Sequence, residues 1–372
     1  MEPRATAPDR LHTPVREAGV LALLLVLGCG PPSPDADAKS STSDSGAPRT
    51  VDSAEPAQCE RQAWTSGVYT MDHEGVERRF RVHVPASYDP AAPAPLVLAF
   101  HGWGGDDTEF LSAAVVGAEA DARGYVVVAP VGLGSGPTDR SWNSWSFRGS
   151  TTGLGGDGDA ICDDDATADY TYPSCEGVAV NGCSWTQCQD DDVDFTLELV
   201  ALAQESLCID PDRVFAVGGS NGGMFAWELG QNALSASTFR AIAPLIGLPH
   251  RGYLDPPAKE GGLPVLLVTG KADRTVPPGA WEDTSYTTTT DGDAYDYTGA
   301  TAITQVWAEA SGCDGTTPAA AVDVGVSEVE CRSSCAGGEA WPPVLDCRSE
   351  MGHTYQLGWS WPLVLDFFDQ HQ

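Results

Sequence analysis

The sequence predicts a protein of the α/β class, with a mostly parallel central sheet, helices on both faces and a cysteine-rich loop excursion. Three observations carry this. From Arg78 onward, short apolar runs, glycine-bearing loops and helix-like segments alternate, the order expected of βαβ units. Several of the runs, LVLAF (Leu96 to Phe100) among them, are continuously apolar, which fits strands covered on both faces. No fixed internal period is present, so solenoids and propellers drop out, and 372 residues with 42% hydrophobic content are enough for a large core.

In chain order, RRFRVHV alternates, setting Phe80, Val82 and Val84 on one strand face. LVLAF is followed by HGWGGDD, a helix-like segment to about Arg123 and the strand YVVVAP. After Pro130 about 60 residues of glycine, aspartate, aromatics and four cysteines intervene. Structureless loops beyond about 15 residues are uncommon in compact domains and are often functional, so this stretch is expected to form a clamped excursion over one end of the sheet. A helix is predicted from near Asp191, with Val193, Leu197 and Val200 on one face. Strands follow at RVFAVG, RAIAPLIG and PVLLVTG, then helices near Thr301 to Ala310 and Trp361 to Phe368.

The first 28 residues read as an export signal. Arg4, Arg10 and Arg16 precede a short apolar run, Val20 to Leu27, which ends at Gly28-Cys29. That run falls short of the about 20 apolar residues needed to span a bilayer. VLGC resembles the lipobox of bacterial lipoproteins, which implies acylation of Cys29 and a membrane lipid anchor; the alternative is a plain signal peptide cleaved nearby, which leaves Cys29 incidental and the protein secreted. Residues 29–58, rich in Pro, Ser, Ala and Asp, read as a disordered linker. Residues 59–372 are then the catalytic-sized domain. Behind an export signal its ten cysteines point to disulfides in an oxidising, extracytoplasmic compartment, although their pairing cannot be deduced. There is no CxxC pair and no flanking histidine, so no metal site is expected among them.

A net charge of −33 repels phosphate backbones and argues against nucleic-acid partners. The densest acidic run, GGDGDAICDDDATADY (Gly155 to Tyr170), lacks the spaced ligands of an EF-hand and reads as a solvated loop.

Chemistry concentrates around Gly218-Gly219-Ser220-Asn221-Gly222, a G-x-S-x-G match with a strand before it and a helix after. Strand, tight turn and helix lift a serine Oγ above a sheet edge, and glycines remove side chains where the two elements would collide. A serine hydroxyl needs a base. Of the seven histidines, His353 in EMGHTYQ follows the apolar segment PPVL and precedes the final helix, so it can reach the same edge. His83 sits in a strand, and His73 and His250 stand beside no other candidate group. The carboxylate that orients the imidazole is expected at Asp273, just past PVLLV, ahead of Asp255 and Asp291. Two oxyanion donors are expected, the backbone N–H of Asn221 at the helix start and that of Trp103 in HGWGG. His101 is expected to brace that loop. No cofactor is needed.

With these pieces in place, the folded part resembles the polyhydroxybutyrate depolymerase and feruloyl esterase group of secreted α/β-hydrolases. The similar stretches are RVHVPASYDPAAPAPLVLAFHGWGG, WNSWSF, DDVDF, IDPDRVFAVGGSNGGMF, GKADRTVP, WAEASGC and GHTY, from Arg81 to Tyr355. The resemblance places nucleophile, acid and base on Ser220, Asp273 and His353. It implies a serine esterase acting on hydroxycinnamoyl or acetyl esters of polysaccharide or on short-chain polyhydroxyalkanoates. A peptidase on the same fold and a non-catalytic surface binding protein are the alternatives. The chain departs from the group at Thr269, where histidine often stands, and at Tyr355, where the group has tryptophan. Trp142, Trp145 and Trp185 are candidates for an aromatic groove or for packing.

Overall fold

The computed structural model describes residues 59, 62–134, 142–163, 172–179, 182–188, 191–292, 294–314, 319–335 and 341–372. The expected signal segment, Cys29 and the linker lie outside the described residues.

Ten strands form one sheet. In chain order they are β1 (Gly67–His73), β2 (Val76–His83), β3 (Ala94–Phe100), β4 (Val126–Pro130), β5 (Ile209–Gly219), β6 (Ala241–Leu245), β7 (Val265–Gly270), β10 (Ala320–Val322), β11 (Val329–Ser333) and β12 (Val344–Ser349); β8 (Tyr286–Thr288) and β9 (Asp296–Thr298) make a separate two-stranded ribbon. The sheet order is β1-β2-β4-β3-β5-β6-β7-β12-β11-β10. The six central strands, β4 to β12, run parallel, and antiparallel hairpins close both edges. Every residue of β3, β4, β6 and β7 is buried, the expected signature of parallel strands covered on two faces.

Among the described residues five α-helices supply the cover: α1 (Ala114–Arg123), α2 (Asp192–Ser206), α3 (Asn221–Gln231), α4 (Ala300–Ala310) and α5 (Leu357–Gln370). Strand alternation sorts the core into two layers. Leu96, Leu98 and Phe100 of β3 pack with Val193 and Phe195 of α2, Phe225 and Trp227 of α3 and Trp307 of α4. Val97 and Ala99 face the other way, toward Val116 and Ala120 of α1 and Trp361, Val364 and Phe368 of α5. Each Val, Leu or Phe among them contributes about 1.5–3 kcal/mol on burial. Local signals set the helix ends. Asp191 caps α2 by accepting from the amides of Val193 and Asp194, and Gly124 ends α1 in the left-handed region at φ 78°. Among the described residues no helix is long and apolar enough to cross a membrane.

All ten cysteines of the folded part are paired, as Cys59–Cys208, Cys162–Cys183, Cys175–Cys188, Cys313–Cys335 and Cys331–Cys347. Two of the bridges lie wholly within the stretch after β4, which is therefore clamped as expected. Its start is fixed from below: the buried pair Arg78–Asp192 joins β2 to α2, and the second oxygen of Asp192 accepts the amide of Ser146 at 2.8 Å. The acidic run is less free than its composition implies, because Asp157 and Asp159 both pair with Arg251 at 3.1 Å; residues 164–170 of it lie outside the described residues.

Candidate active site

Ser220 occupies the turn between β5 and α3 with φ 51° and ψ −116°, a strained conformation for a residue with a side chain. The surrounding glycines make that turn possible. A Cβ at Gly218 would lie 2.0 Å from the carbonyl oxygen of Gly222, and one at Gly222 would lie 2.1 Å from that of Phe100. The Ser220 amide donates to the carbonyl of Leu245 at 2.8 Å, tying the turn to the end of β6.

Asp273 follows β7 and His353 follows β12, so the loops bearing Ser220, Asp273 and His353 all leave the same edge of the parallel sheet. The three side chains meet there. His353 Nδ1 lies 2.8 Å from Asp273 Oδ2 and His353 Nε2 lies 2.9 Å from Ser220 Oγ. With Nδ1–H donated to the carboxylate, Nε2 is the acceptor for the hydroxyl proton. The Asp273 side chain is fully buried, and its other oxygen accepts the amides of Thr275 and Val276, each at 2.9 Å. The His353 side chain remains 28% exposed, open to a substrate. This geometry can move a proton off a hydroxyl and hold the resulting imidazolium. Asp255 is engaged with Arg148 instead, and Asp291 accepts the Thr275 hydroxyl.

A cavity of about 330 Å³ opens over Ser220 and His353, with aromatic walls from Trp103, Trp185, Tyr295, Tyr297 and Tyr355. The loop HGWGG forms one side. His101 is buried and braces the loop: its Nε2 accepts the amide of Gly132 at 2.9 Å, so its Nδ1–H donates to the Gly102 carbonyl at 2.6 Å. Burial holds its pKa below the ordinary imidazole value, in keeping with a neutral ring. The amides of Gly102, Gly104 and Gly105 are committed to Glu109, Asn143 and Gly102 respectively, so none of these three is offered to a substrate oxygen. The Trp103 indole donates to Tyr172 and stacks on Trp142 with ring centroids 4.2 Å apart. At the start of α3, Asn221 is buried, and its side chain exchanges two hydrogen bonds with the backbone of Trp145.

The three tryptophans of the excursion separate. Trp185 lines the cavity, Trp145 is core beneath it, donating to the His101 carbonyl at 3.0 Å, and Trp142 backs Trp103. Of the two departures from the resembled group, Thr269 is buried in β7 while Tyr355 lines the cavity. Sequence reasoning missed Glu109, Met224, Val276, Tyr295 and Tyr297. Met224 and Val276 lie within the stretches GGSNGGMF and GKADRTVP already singled out, and the two tyrosines left a trace in the spacing of two in AYDYT, which sends alternate strand residues to one face.

No family model matches the chain. A curated relative, "Putative esterase NocK" of Nocardia uniformis subsp. tsuyamanensis, is 30% identical over 208 residues, 54% of this chain and 46% of its own. The chain thus spans about half the length of that relative. Among solved structures, an acetyl xylan esterase from Aspergillus awamori superposes with a TM-score of 0.50 at 13% identity, covering 82% of this chain and 99% of its own. An S-formylglutathione hydrolase from Agrobacterium tumefaciens covers 82% of this chain and 95% of its own, at 15% identity and a TM-score of 0.43. The chain has an α/β-hydrolase fold, with a mostly parallel sheet, helices on both faces and a disulfide-clamped excursion.

Proposed function

We propose that residues 59–372 are a serine esterase working outside the cytoplasm, in which Ser220 is the nucleophile, His353 the base and Asp273 the residue that orients it. The observation that carries this is the unbroken relay of 2.8 and 2.9 Å from Asp273 through His353 to Ser220 at the foot of an apolar cavity. Ser220 Oγ attacks the ester carbonyl as His353 Nε2 takes its proton. The oxyanion is met by the backbone N–H groups of Asn221 and Trp103, and the proton passes to the leaving alcohol. His353 then activates water to release the acyl group from Ser220. A carboxylate behind the imidazole stabilises the positive charge formed in each half-reaction. No metal or organic cofactor enters these steps.

The substrate reading follows the lining. Five aromatic side chains around about 330 Å³ favour an aromatic acyl group, such as a hydroxycinnamoyl ester on polysaccharide, over acetyl esters or short-chain polyhydroxyalkanoate. The likeness to an acetyl xylan esterase keeps acetylated xylan as the comparison substrate. Five disulfides support an oxidising compartment, and a lipid anchor at Cys29 completes the proposal as the tie to a membrane.

The test is hydrolysis of p-nitrophenyl acetate, methyl ferulate, acetylated xylan and a polyhydroxybutyrate suspension, together with labelling by a serine-directed phosphonate. Turnover should vanish in Ser220→Ala, and the label should map to Ser220. Equal rates for wild type and Ser220→Ala would end the esterase reading.

A further inference from the structure

A loop as rich in glycine as HGWGG has little stiffness of its own, so its peptide planes point where its hydrogen bonds hold them. Asn143, 38 residues beyond Gly105, and the loop's own His101 supply three of those bonds: Gly104 N–H to the Asn143 carbonyl at 2.8 Å, Asn143 Nδ2 to the Gly105 carbonyl at 2.8 Å, and the His101 ring to the Gly102 carbonyl. A fourth leads on to another loop. The Gly102 amide donates to Glu109 Oε1 at 2.8 Å, and the same oxygen accepts the phenol of Tyr355. Tyr355 stands two residues after His353. A single carboxylate oxygen therefore joins the loop beside the cavity to the loop that carries the imidazole.

The phenol is itself held. Its ring stacks on Phe110, the neighbour of Glu109, with centroids 5.5 Å apart and planes 7° from parallel. On the other side it lies over the turn that bears Ser220, so close that a Cβ on Gly219 would sit 2.2 Å from the ring. Burial and the adjacent Glu109 carboxylate push the Tyr355 pKa well above its ordinary value, so the O–H stays a donor throughout the neutral range.

We infer that Glu109 and Tyr355 are positioning residues: together they clasp the 101–105 loop to the 352–355 loop across Ser220, fixing the spacing between the Trp103 amide and the imidazole. The kinetic consequence rests on the esterase reading, since it assumes that both loops address one carbonyl. A shift of about 1 Å in such a constellation can cost about a hundredfold in rate. The loss should therefore fall mainly on kcat, because Trp185, Tyr295 and Tyr297 line the cavity from other segments and stay in place.

The experiment compares Glu109→Ala, Glu109→Gln and Tyr355→Phe with wild type by amide hydrogen exchange and by steady-state kinetics on p-nitrophenyl acetate. Glu109→Ala should speed exchange in both loops by about tenfold or more and lower kcat about a hundredfold with KM within about threefold. Tyr355→Phe, which removes one oxygen, should lower kcat about tenfold. Glu109→Gln keeps an acceptor oxygen and should recover kcat to within about fivefold of wild type. Unchanged exchange in both loops for Glu109→Ala and Tyr355→Phe overturns the clasp, as does a rise in KM at constant kcat. Should Glu109→Ala not fold, Tyr355→Phe decides by the same two readouts. If wild type cleaves no ester, the exchange measurements alone decide the clasp and the failure falls on the esterase reading.

Discussion

Two regions of the molecule are built around an imidazole, and they use it in opposite ways. At the rim, His353 keeps 28% of its side chain exposed, with a carboxylate behind Nδ1 and the Ser220 hydroxyl before Nε2. In the aromatic layer beside the cavity, His250 is fully buried. Its Nε2 accepts the Trp185 indole N–H at 2.9 Å, so Nδ1–H donates to the Asp296 carbonyl at 3.0 Å. Phe147 and Tyr297 stack against it at 5.4 and 4.8 Å. What stands behind Nδ1 makes the difference. A carboxylate can hold a positive ring, whereas a carbonyl in an apolar layer cannot, and burial drops the His250 pKa to about 4. His250 thus stays a neutral acceptor that fixes Trp185 in the cavity wall.

The strongest way to break this contrast is Asp273→Asn against His250→Gln, both assayed on p-nitrophenyl acetate. The first should lower turnover about 10⁴-fold with an unchanged circular dichroism spectrum, because the imidazole loses the partner that sets its tautomer and charge. The second should change kcat by less than about threefold. Similar losses in the two variants would mean that the buried imidazole takes part in turnover.

Next in size is the pH dependence of stability. An unfolded histidine takes its proton near 6.5, whereas His250 in the fold takes it only near 4. Between those values the unfolded chain binds more protons, so its stability contribution is complete above about pH 6.5 and is lost as the pH falls toward 4. His371, also lowered to about 4 by burial, and His101 act in the same direction. Urea unfolding from pH 7 to 4 should therefore show a decline of a few kcal/mol in wild type and a shallower one in His250→Gln.

Trp185→Phe gives the smallest effect and sharpens the comparison. It keeps an aromatic face but leaves His250 Nε2 without its donor, at a cost of about 1–2 kcal/mol. Its KM for methyl ferulate should rise a few-fold while that for p-nitrophenyl acetate holds. An equal shift for both substrates would remove Trp185 from acyl recognition.

How far the sequence reached differs from residue to residue. Contiguous apolar residues marked β3 to β7 because burial on both faces demands them, and the glycines around Ser220 announced a turn that admits no Cβ. Asp273 and His353 were singled out by their positions just past strands, since strands sharing one parallel sheet deliver their following loops to one edge, where the two side chains and Ser220 meet. Strands β1, β10 and β11 were missed because they are half-exposed and lack a continuous apolar run; β1 and β10 are the sheet edges, and β11 lies between β10 and β12. Glu109 carried no signal at all, because DDTEF looks like any polar loop.

The sequence by itself therefore determined what depends on neighbouring residues: strand and helix periodicity, capping, the strained serine turn and the order in which serine, aspartate and histidine occur. Tertiary structure alone decided what depends on contacts between distant segments. Cys59 meets Cys208 across 149 residues, three tryptophans within one excursion become wall, core and backing, and a phenol two residues after His353 reaches a carboxylate beside the glycine loop. The physical reason is that steric and hydrogen-bonding preferences of the backbone act over a few residues, while the meeting of distant side chains is set by sheet order and by how whole layers pack.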